Sequence, residues 1–544
     1  MNFISIFGLL ALLGIAWLLS YHHKQVRLKP VFWGLSLQFL FALIILREDY
    51  WSYVGMSILG FLIIIYLLQR EDKILGGGIQ ATVIIGLVSL SIGWMLSLVS
   101  GLISWLLSAL LILLFINSWL KYHQPAQRFL SALLIIAGGT YFVSHGIHGQ
   151  IIFKSFSDKI AAFLSLSDYG ARFLFSNLAD ESYFGPWAQQ FPNTGTWPGF
   201  GFQFAFKVLP TIIFFGGFMS VLYYLGIMQK VIEAMSRFMR WTIGTSGAET
   251  LSCSANIFVG QTEAPLLIKP FLNTMTKSEL LTIMVGGFAT IAGGVLAGYI
   301  AMGIPAGHLI AASVMSAPAA LVIGKIIYPE LEHSQTAGDT PLPDISVGGN
   351  VIEAASNGIS DGLKLAVNVG AMLIGFIALI AVVDTLLNWV DWLIDGQLFG
   401  GEYIKYNVIG LSPAVGEYSG YFPGSLKTLF GTILRPLAWL MGVPWAYADE
   451  VGNLLGIKLS LNEFVAYGTL GHYMQNNILD QRSLIISTYA LCGFANFSSI
   501  GIQIGGISAL APGRKSDLAK VGLKAMLGGA LASWLTATIA GILI

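Results

Sequence analysis

The chain has 544 residues, of which 55% are hydrophobic and only 10% are charged, against roughly 25% charged residues in an ordinary soluble domain. This composition excludes a soluble globular protein and predicts that lipid surrounds much of the chain. The 28 Lys and Arg residues balance the 28 Asp and Glu residues, so no net charge attracts nucleic acid.

Apolar runs in the sequence are long enough to cross, or nearly cross, a hydrocarbon core of about 30 Å as helices. The first run, residues 3–20, lacks a basic leading region and a small-residue cleavage site, so it is predicted to be a retained membrane helix and not a signal peptide. The other runs are residues 31–46, 51–68, 79–99, 102–120, 129–147, 208–228, 278–302, 306–324, 366–385, 484–510 and 519–543. The sequence therefore predicts an all-α polytopic protein of the cell membrane with about 12 transmembrane helices.

The short loops predict the orientation of these helices, because Lys and Arg concentrate on the cytoplasmic side. Lys24, Arg27 and Lys29 place the first loop in the cytoplasm, and strict alternation then places the later basic loops there and both termini outside. Alternation holds only if two further apolar stretches, about 244–275 and about 452–480, enter and leave the membrane on the same side. Each stretch is therefore predicted to be a re-entrant hairpin.

Two segments between the spans are predicted to lie outside the hydrocarbon core. Residues 229–242 place apolar side chains on one helical face and charged ones elsewhere, which is typical of an amphipathic helix in the membrane interface. The apolar residues are Val231, Ile232, Met235, Phe238 and Met239. Residues 329–350 are rich in acidic residues and proline, and they are predicted to be a polar linker between two halves.

A four-residue motif occurs twice, as Gly287-Phe288-Ala289-Thr290 and as Gly493-Phe494-Ala495-Asn496, each time inside an apolar span. More small or hydroxyl residues follow each copy, and such residues weaken the middle of a helix, so both spans are predicted to break. Each copy follows one of the hairpins, and the two hairpins enter from opposite sides. This arrangement predicts an inverted-repeat transporter whose site lies near the membrane midplane.

Each hairpin also carries a carboxylate flanked by apolar sequence, Glu263 in the first and Glu463 in the second. Insertion of a charged side chain at the bilayer centre costs about 2.5–3.5 kcal/mol of free energy, so such a residue is expected to have a polar partner or a function. Backbone N–H groups at a hairpin tip would satisfy a carboxylate without any function. A ligand site is favoured because further polar side chains accompany the two glutamates, namely Gln261, Thr262, Asn496 and Ser499.

Three segments resemble the concentrative nucleoside transporter family: residues 256–265 (NIFVGQTEAP), residues 462–467 (NEFVAY) and residues 490–501 (ALCGFANFSSIG). The resemblance extends over residues 4–47 and about 150–543. It implies cation-coupled uptake of nucleosides by an elevator-type alternating-access mechanism. It also implies a homotrimer in which a fixed scaffold supports a moving transport domain that carries both hairpins.

The resemblance implies the residues that bind the nucleoside. The nucleobase would be faced by Gln261, Thr262 and Glu263, with Val295 and Phe494 as apolar neighbours. The ribose would be held by Glu463, Asn496 and Ser499. Amides and carboxylates suit this ligand, because they pair with base-edge donors and acceptors and accept hydrogen bonds from sugar hydroxyls.

The resemblance also implies a sodium site between the first hairpin tip and the first broken helix. Its ligands would be the backbone carbonyls of Asn256, Val259 and Ile291 and the hydroxyl of Thr290. Oxygen ligands in an unwound segment suit a hard cation. Some family members have serine in place of Thr290, which retains the hydroxyl ligand. Some family members use protons, so sodium is favoured here and proton coupling is the alternative. No other cofactor is expected.

The chain is predicted to divide into seven sections. They are N-terminal scaffold helices (1–50), an inserted four-helix segment (51–147), a scaffold section (148–242), the first transport repeat (243–328), a linker and scaffold helix (329–400), an outer loop region (401–451) and the second transport repeat with the last helix (452–544). The four apolar runs of residues 51–147 depart from the minimal family core. Their even number preserves the orientation of everything that follows.

Other classes of protein fit the sequence less well. A membrane enzyme that used Glu263 and Glu463 as acid and base would place these groups near the interface, whereas both are central here. One carboxylate in each of two opposed hairpins suits an occluded site better than a continuous pore. The two cysteines, Cys253 and Cys492, are too few for a disulfide framework and are predicted to be buried thiols.

Overall fold

The computed structural model describes residues 3–69, 107, 110, 113, 124–183, 203–336, 348–406 and 414–544. These residues are helical almost throughout, so the predicted all-α class is confirmed. Their only sheet is an antiparallel pair of short strands, β1 (Tyr403–Lys405) and β2 (Gly416–Tyr418). The predicted span 79–99 and nearly all of 102–120 lie outside the described residues.

The described helices follow one another with few long connections. The N-terminal helices are α1 (Phe3–Leu18), α2 (Leu28–Leu46), α3 (Tyr50–Gln69), α4 (Gln124–Ser144), α5 (Gly149–Leu164) and α6 (Ser167–Phe175). The middle of the chain contains α7 (Phe204–Tyr224), α8 (Ile227–Ile243), α9 (Gly247–Ala255), a 3-10 segment (Ala264–Phe271), α10 (Lys277–Ala289), α11 (Gly293–Ala301) and α12 (Ala306–Ile327).

The C-terminal part begins with the longest described helix, α13 (Val351–Asp391), which continues as a π-helical turn at Trp392–Leu398. It is followed by α14 (Leu426–Leu440), α15 (Ala448–Ser460), α16 (Glu463–Gln475), α17 (Gln481–Leu491), α18 (Phe497–Leu510) and α19 (Lys515–Leu543). Short 3-10 turns occur at His23–Gln25, Ser176–Leu178, Glu181–Tyr183, Trp445–Tyr447 and Pro512–Arg514.

The described chain forms two compact units, and residues 39–156 make up most of the smaller one. Within it, Ile64 of α3 packs against Ala132 and Ile136 of α4. The predicted span 129–147 corresponds to α4, which ends at Ser144. The larger unit holds both hairpins and both broken helices.

By length and composition, seven described helices can cross a membrane, or eight if the bent pair within residues 130–178 is one span. The seven are Leu28–Leu46, Tyr50–Leu67, Phe204–Tyr224, Lys277–Ala301, Ala306–Ile327, Val351–Leu398 and Pro512–Leu543. Two predicted spans are shorter than expected: α1 has 16 residues, and the run 484–510 is divided between α17 and α18.

The core of the larger unit consists of α10, α12 and α19, which are buried along nearly their whole length. Small residues allow this close packing. A Cβ at Gly324 of α12 would lie 2.8 Å from the Thr282 hydroxyl of α10. A second close pair is formed by α7 and α13, whereas the opposite face of α13 exposes apolar side chains such as Ile374.

The segment predicted to be an amphipathic helix forms α8. Of its predicted apolar face, Ile232 and Met239 are buried in the protein, whereas Val231 is 38% exposed. Met228, Ser236, Thr242 and Ile243 are also buried. Residues 228, 232, 236 and 239 are three or four positions apart, so they lie on one side of the helix, and residue 231 lies away from that side.

Both predicted hairpins are helix–turn–helix units. The first hairpin consists of α9, the turn 256–263 and the 3-10 segment, and the second consists of α15, a two-residue turn and α16. Side chains fix where their helices begin. Ser246 and Glu249 form a capping box at the start of α9, and Asn462 accepts a hydrogen bond from Val465 N at the start of α16.

Both spans that carry the repeated motif are broken at the motif. The first break, residues 290–292, separates α10 from α11, and the second break, residues 492–496, separates α17 from α18. Thr290 has an extended backbone, and Asn496 caps α18 by accepting a hydrogen bond from Ser499 N at 2.9 Å. The breaks predicted from glycine and hydroxyl residues are therefore confirmed.

Candidate functional site

The two copies of the repeated motif meet in space. Gly493 of the second break lies against the backbone of Phe288 and Ala289 in the first copy, and a Cβ at Gly493 would be 2.7 Å from the Ala289 carbonyl carbon. Gly493 has a φ of 111°, a conformation that side chains disfavour. Glycine is therefore required here both by the backbone and by the contact between the repeats.

The carboxylate of Glu463 is buried beside this contact, with 3% of the residue exposed. The Tyr299 hydroxyl of α11 donates to its Oε1 at 3.1 Å, and the Asn496 amide donates to its Oε2 at 3.3 Å. Glu463 is also the first residue of α16, where the helix dipole favours negative charge. One carboxylate thus joins the second hairpin to both broken helices.

A second group of polar side chains joins the first hairpin to α18. The Gln261 amide donates to the Ser499 hydroxyl at 3.4 Å. The Gln503 amide donates to Gln261 Oε1 at 3.0 Å and to Met284 O at 3.2 Å. Thr262 lies next to this group, because a Cβ at Gly506 of α18 would be 3.0 Å from its methyl carbon.

Asn496 connects the two groups, because its side-chain oxygen accepts from Ser499 N at 2.9 Å. The result is one continuous set of polar residues, the polar chain, which runs through Tyr299, Glu463, Asn496, Ser499, Gln261 and Gln503. It includes four of the sequence-predicted substrate residues. Two others, Val295 in α11 and Phe494 in the second break, are apolar; Val295 is buried and Phe494 is half-buried.

Glu263 faces a different region. Its carboxylate accepts a hydrogen bond from Gly260 N and lines a cavity of about 370 Å³ between the first hairpin, α7 and α13. Tyr223 and Asp361 line the same cavity. The Tyr223 hydroxyl is buried and has no hydrogen-bond partner among the described residues. The two predicted glutamates therefore lie in different environments, and their side chains are not in contact.

The predicted ion ligands lie where the first hairpin meets the first break. Gly293 N of α11 donates to Phe258 O of the hairpin turn at 3.0 Å, and the Thr290 hydroxyl donates to Gly286 O at 2.9 Å. Ile291 is buried and Val259 is half-buried. Asn256 is 1% exposed, and neither of its side-chain amide atoms has a hydrogen-bond partner among the described residues.

Within the described residues, no group of three or more His, Cys, Asp or Glu side chains is arranged to hold a metal ion. The residues predicted to bind sodium are of another kind, because they would contribute three backbone carbonyls and one hydroxyl. Cys253 and Cys492 are both buried free thiols, as predicted.

Three residues near the site were not predicted from the sequence: Gln503, Lys458 and Tyr299. Gln503 lies four residues after Ser499 in an apolar helix, so helical spacing places both on one face. Lys458 is a fully buried charge in the second hairpin, and the criterion that singled out Glu463 applies to it equally. Tyr299 had no such signal, because an aromatic residue in an apolar span is indistinguishable from a packing residue.

The hairpins, the two broken helices and the buried polar chain between them define an inverted-repeat membrane transporter. Comparison with known families agrees with this class. The model of the Na⁺-dependent nucleoside transporter N-terminus matches residues 7–62, that of nucleoside recognition matches residues 205–306, and that of the Na⁺-dependent nucleoside transporter C-terminus matches residues 308–541.

Similar proteins extend over most of the chain. An uncharacterized transporter of Haemophilus influenzae is 43% identical over 421 residues, which are 76% of this chain and 90% of that protein. Sodium/nucleoside cotransporter 1 of Rattus norvegicus is 41% identical over 452 residues, which are 80% of this chain and 62% of the rat protein. The structure of CNTnw in an inward-facing substrate-bound state matches with a TM-score of 0.68 and 31% identity, covering 99% of this chain and 97% of that chain.

The chain belongs to the Na⁺-dependent nucleoside transporter family. It is a multi-pass protein of the cell membrane, and it is a transporter and not an enzyme.

Proposed function

We propose that this protein is a symporter that imports nucleosides with sodium by an elevator-type alternating-access mechanism. The observation that carries the proposal is the polar chain, because it gathers donors and acceptors from both hairpins and both broken helices at one buried place. Nucleosides present such donors and acceptors at two ends, the base edge and the ribose hydroxyls. The family membership and the name of the rat relative agree with this ligand.

In this proposal the two ends of the polar chain recognise different parts of the nucleoside. Glu463, Asn496 and Ser499 hold the ribose, where a carboxylate accepts from sugar hydroxyls and an amide supplies donors. Gln261 and Thr262 face the nucleobase, with Val295 and Phe494 as apolar neighbours. Glu263 faces the nucleobase from the side of the cavity, where the Tyr223 hydroxyl adds a further polar group.

Sodium is proposed to bind through the carbonyls of Asn256, Val259 and Ile291 and the Thr290 hydroxyl. Two observations support a cation there: the buried side-chain amide of Asn256 has no hydrogen-bond partner among the described residues, and the backbone at Thr290 is unwound. Thr290→Val removes the hydroxyl at nearly constant volume, so half-maximal uptake should need more sodium. Thr290→Ser retains the hydroxyl and is the matched control. If both variants have the sodium dependence of the parent, Thr290 is not a ligand.

The elevator mechanism is supported by how the helices are divided. The polar chain holds the hairpins to the broken helices, whereas α7 and α13 pair closely with each other across Gly216 and Gly358. The cavity beside Glu263 lies between these two groups. A cysteine at Leu266, in the wall of that cavity, should change its reactivity to a membrane-impermeant thiol reagent when sodium and uridine are added. A cysteine at Tyr421, which is 96% exposed, is the control.

A homotrimer is proposed from the family resemblance. The exposed apolar face of α13 offers a surface for contact between subunits, with Ile352 82% and Ile374 77% exposed. Native mass spectrometry of the purified protein should give a particle of three chains of 58.7 kDa each. A particle of one or two chains after gentle extraction would contradict the trimer.

Uptake into proteoliposomes tests the proposed function. We expect labelled uridine and adenosine to accumulate when sodium is high outside, and not when choline replaces sodium. A proton gradient imposed in choline distinguishes the alternative coupling ion. Accumulation under the proton gradient alone would replace sodium by protons, and no accumulation under either gradient would overturn nucleoside symport.

A further inference from the structure

Lys458 is a charged residue in the interior that the proposed transport mechanism does not use. It belongs to α15 of the second hairpin, and none of its surface is exposed. Its ammonium donates to Ala490 O at 2.9 Å and to Cys492 O at 3.0 Å. A buried ammonium is costly unless it is paired, so these contacts have a structural or functional reason.

The partners of Lys458 are unusual for a buried lysine. Among the described residues no carboxylate forms an ion pair with it, and its two recorded acceptors are backbone carbonyls. Both carbonyls belong to the C-terminal end of α17, where the helix dipole is negative and the last carbonyls have no helical partner. At the start of the second break, two carbonyl oxygens thus bind a cation, and carbonyl oxygens are ligands that an alkali ion also takes.

The first repeat has its proposed ion site in the corresponding place. When the sequences of the two motif copies are aligned, Gly493 matches Gly287, and Cys492 therefore matches Gly286. Gly286 O accepts from the Thr290 hydroxyl, and Cys492 O accepts from the Lys458 ammonium.

The hairpin residues next to this carbonyl also correspond. A Cβ at Gly286 would lie 2.7 Å from Cys253 Sγ and 3.6 Å from Asn256 Nδ2, both in or next to the first arm of the first hairpin. Lys458 lies in the first arm of the second hairpin. In each repeat, therefore, the first arm of the hairpin supplies the groups that face the end of the first half-helix.

We propose that the Lys458 ammonium is a tethered cation that fills the second repeat's counterpart of the sodium site. The comparison rests on the proposed sodium site of the first repeat. Lys458 fixes the second break from Cys492 to Asn496, and Asn496 in turn bonds Glu463 and Ser499. Lys458 is accordingly a positioning residue for the ribose end of the nucleoside site.

Replacing the lysine separates its charge from its volume. Lys458→Met keeps most of the side-chain length without the charge, whereas Lys458→Ala leaves room for a small cation beside the two carbonyls. We expect uridine affinity, measured by calorimetry in saturating sodium, to fall about tenfold or more in both variants, since a hydrogen bond to a charged group is lost. Lys520→Ala, at an exposed position of α19, is the matched control and should retain the parent affinity.

Chemical rescue distinguishes a cation site from ordinary packing. Added n-propylammonium should restore uridine affinity and raise the melting temperature of Lys458→Ala, and it should do neither in the parent or in Lys458→Met. Equal affinity in the parent and both variants would overturn the proposal. The proposal would also be overturned if propylammonium failed to restore the uridine affinity of Lys458→Ala. If this variant does not fold, failure of propylammonium to allow its folding would overturn the proposal.

The melting measurement separates this proposal from the proposed function. If the parent protein binds no nucleoside, nucleoside symport fails, and the propylammonium-dependent stabilisation of Lys458→Ala still decides whether the site takes a cation. If the parent binds uridine and the alanine variant shows no stabilisation by propylammonium, the tethered-cation proposal fails alone.

Discussion

The Tyr299 hydroxyl of the first repeat donates a hydrogen bond to Glu463 of the second repeat at 3.1 Å. Both residues are buried, and the two lie 164 residues apart in the chain. A movement that separated the two repeats would break this bond and leave a buried carboxylate with fewer donors, which is costly. The bond therefore ties the repeats together at the ribose end of the proposed site.

Removal of that bond should weaken nucleoside binding without unfolding the protein. In Tyr299→Phe the ring and its packing on Phe464 and Tyr467 remain, while Glu463 loses one donor. We expect uridine affinity to fall by about tenfold to a hundredfold, in line with about 1.5–3 kcal/mol for a hydrogen bond to a charged group. Calorimetry gives the affinity, and Tyr421→Phe, at an exposed position, is the control. Parent-like affinity would show that Tyr299 does not orient Glu463.

The amide pair of Gln261 and Gln503 should act as a unit. Gln503 holds the oxygen of Gln261 at 3.0 Å, which leaves the Gln261 amide nitrogen directed to Ser499. We expect Gln261→Ala, Gln503→Ala and the double variant to be non-additive in uridine affinity, with a coupling energy of about 0.5–3 kcal/mol. Additive losses would mean that Gln503 does not position Gln261, although their side chains are in contact.

The two hairpin glutamates should both be needed for binding. Glu263→Gln and Glu463→Gln keep the size of each side chain and remove its charge, so neither should prevent folding. We expect uridine binding to be lost in both variants. Glu402→Gln, on an exposed turn before β1, is the matched control. A monodisperse elution profile would show that both hairpin variants are folded. Near-normal uridine affinity in such folded variants would contradict the assignment of Glu263 and Glu463 to the site.

The buried ion pair of Lys325 and Glu249 should matter for stability and not for selectivity. Lys325 Nζ and Glu249 Oε2 are 2.7 Å apart, and their side chains are 7% and 1% exposed. Loss of Lys325 would therefore leave the buried charge of Glu249 without this partner. Lys325→Met should lower the free energy of unfolding by about 3–5 kcal/mol. The exposed pair of Lys364 and Asp361, at 2.9 Å, is the comparison. Lys364→Met should change the free energy of unfolding by at most about 1 kcal/mol. Thermal unfolding in detergent measures the stability of both variants. Equal losses of stability in Lys325→Met and Lys364→Met would contradict a larger role for the buried pair.

Much of the fold followed from local patterns in the sequence. Glycine and hydroxyl residues at 287–290 and 493–496 mark both breaks, because they weaken a helix wherever it stands. The pairing of Asn496 with Ser499 follows from helical spacing. Isolated polar residues in apolar stretches likewise singled out Gln261 and Glu463, which hydrogen bonds connect through Ser499 and Asn496.

Other features depend on contacts between distant parts of the chain, which spacing does not encode. The bond from Tyr299 to Glu463 and the position of Lys458 against the second break are examples. The direction of Glu263 is another, because both its bond to Gly260 N and the cavity it lines depend on how the hairpin turn packs. The exposure of Val231 on α8 is a further example, because hydrophobicity alone does not set the rotation of a helix against its neighbours.

Linkage between sodium and uridine tests the central claim most directly, because a coupled cation and substrate must strengthen each other's binding to the same extent. The measurement is calorimetric titration of uridine into the purified protein at several sodium concentrations, with choline keeping the ionic strength constant. We expect uridine affinity to rise with sodium until it saturates, and the rise to require more sodium in Thr290→Val. The same uridine affinity in choline and in sodium would contradict sodium-coupled nucleoside transport by this protein.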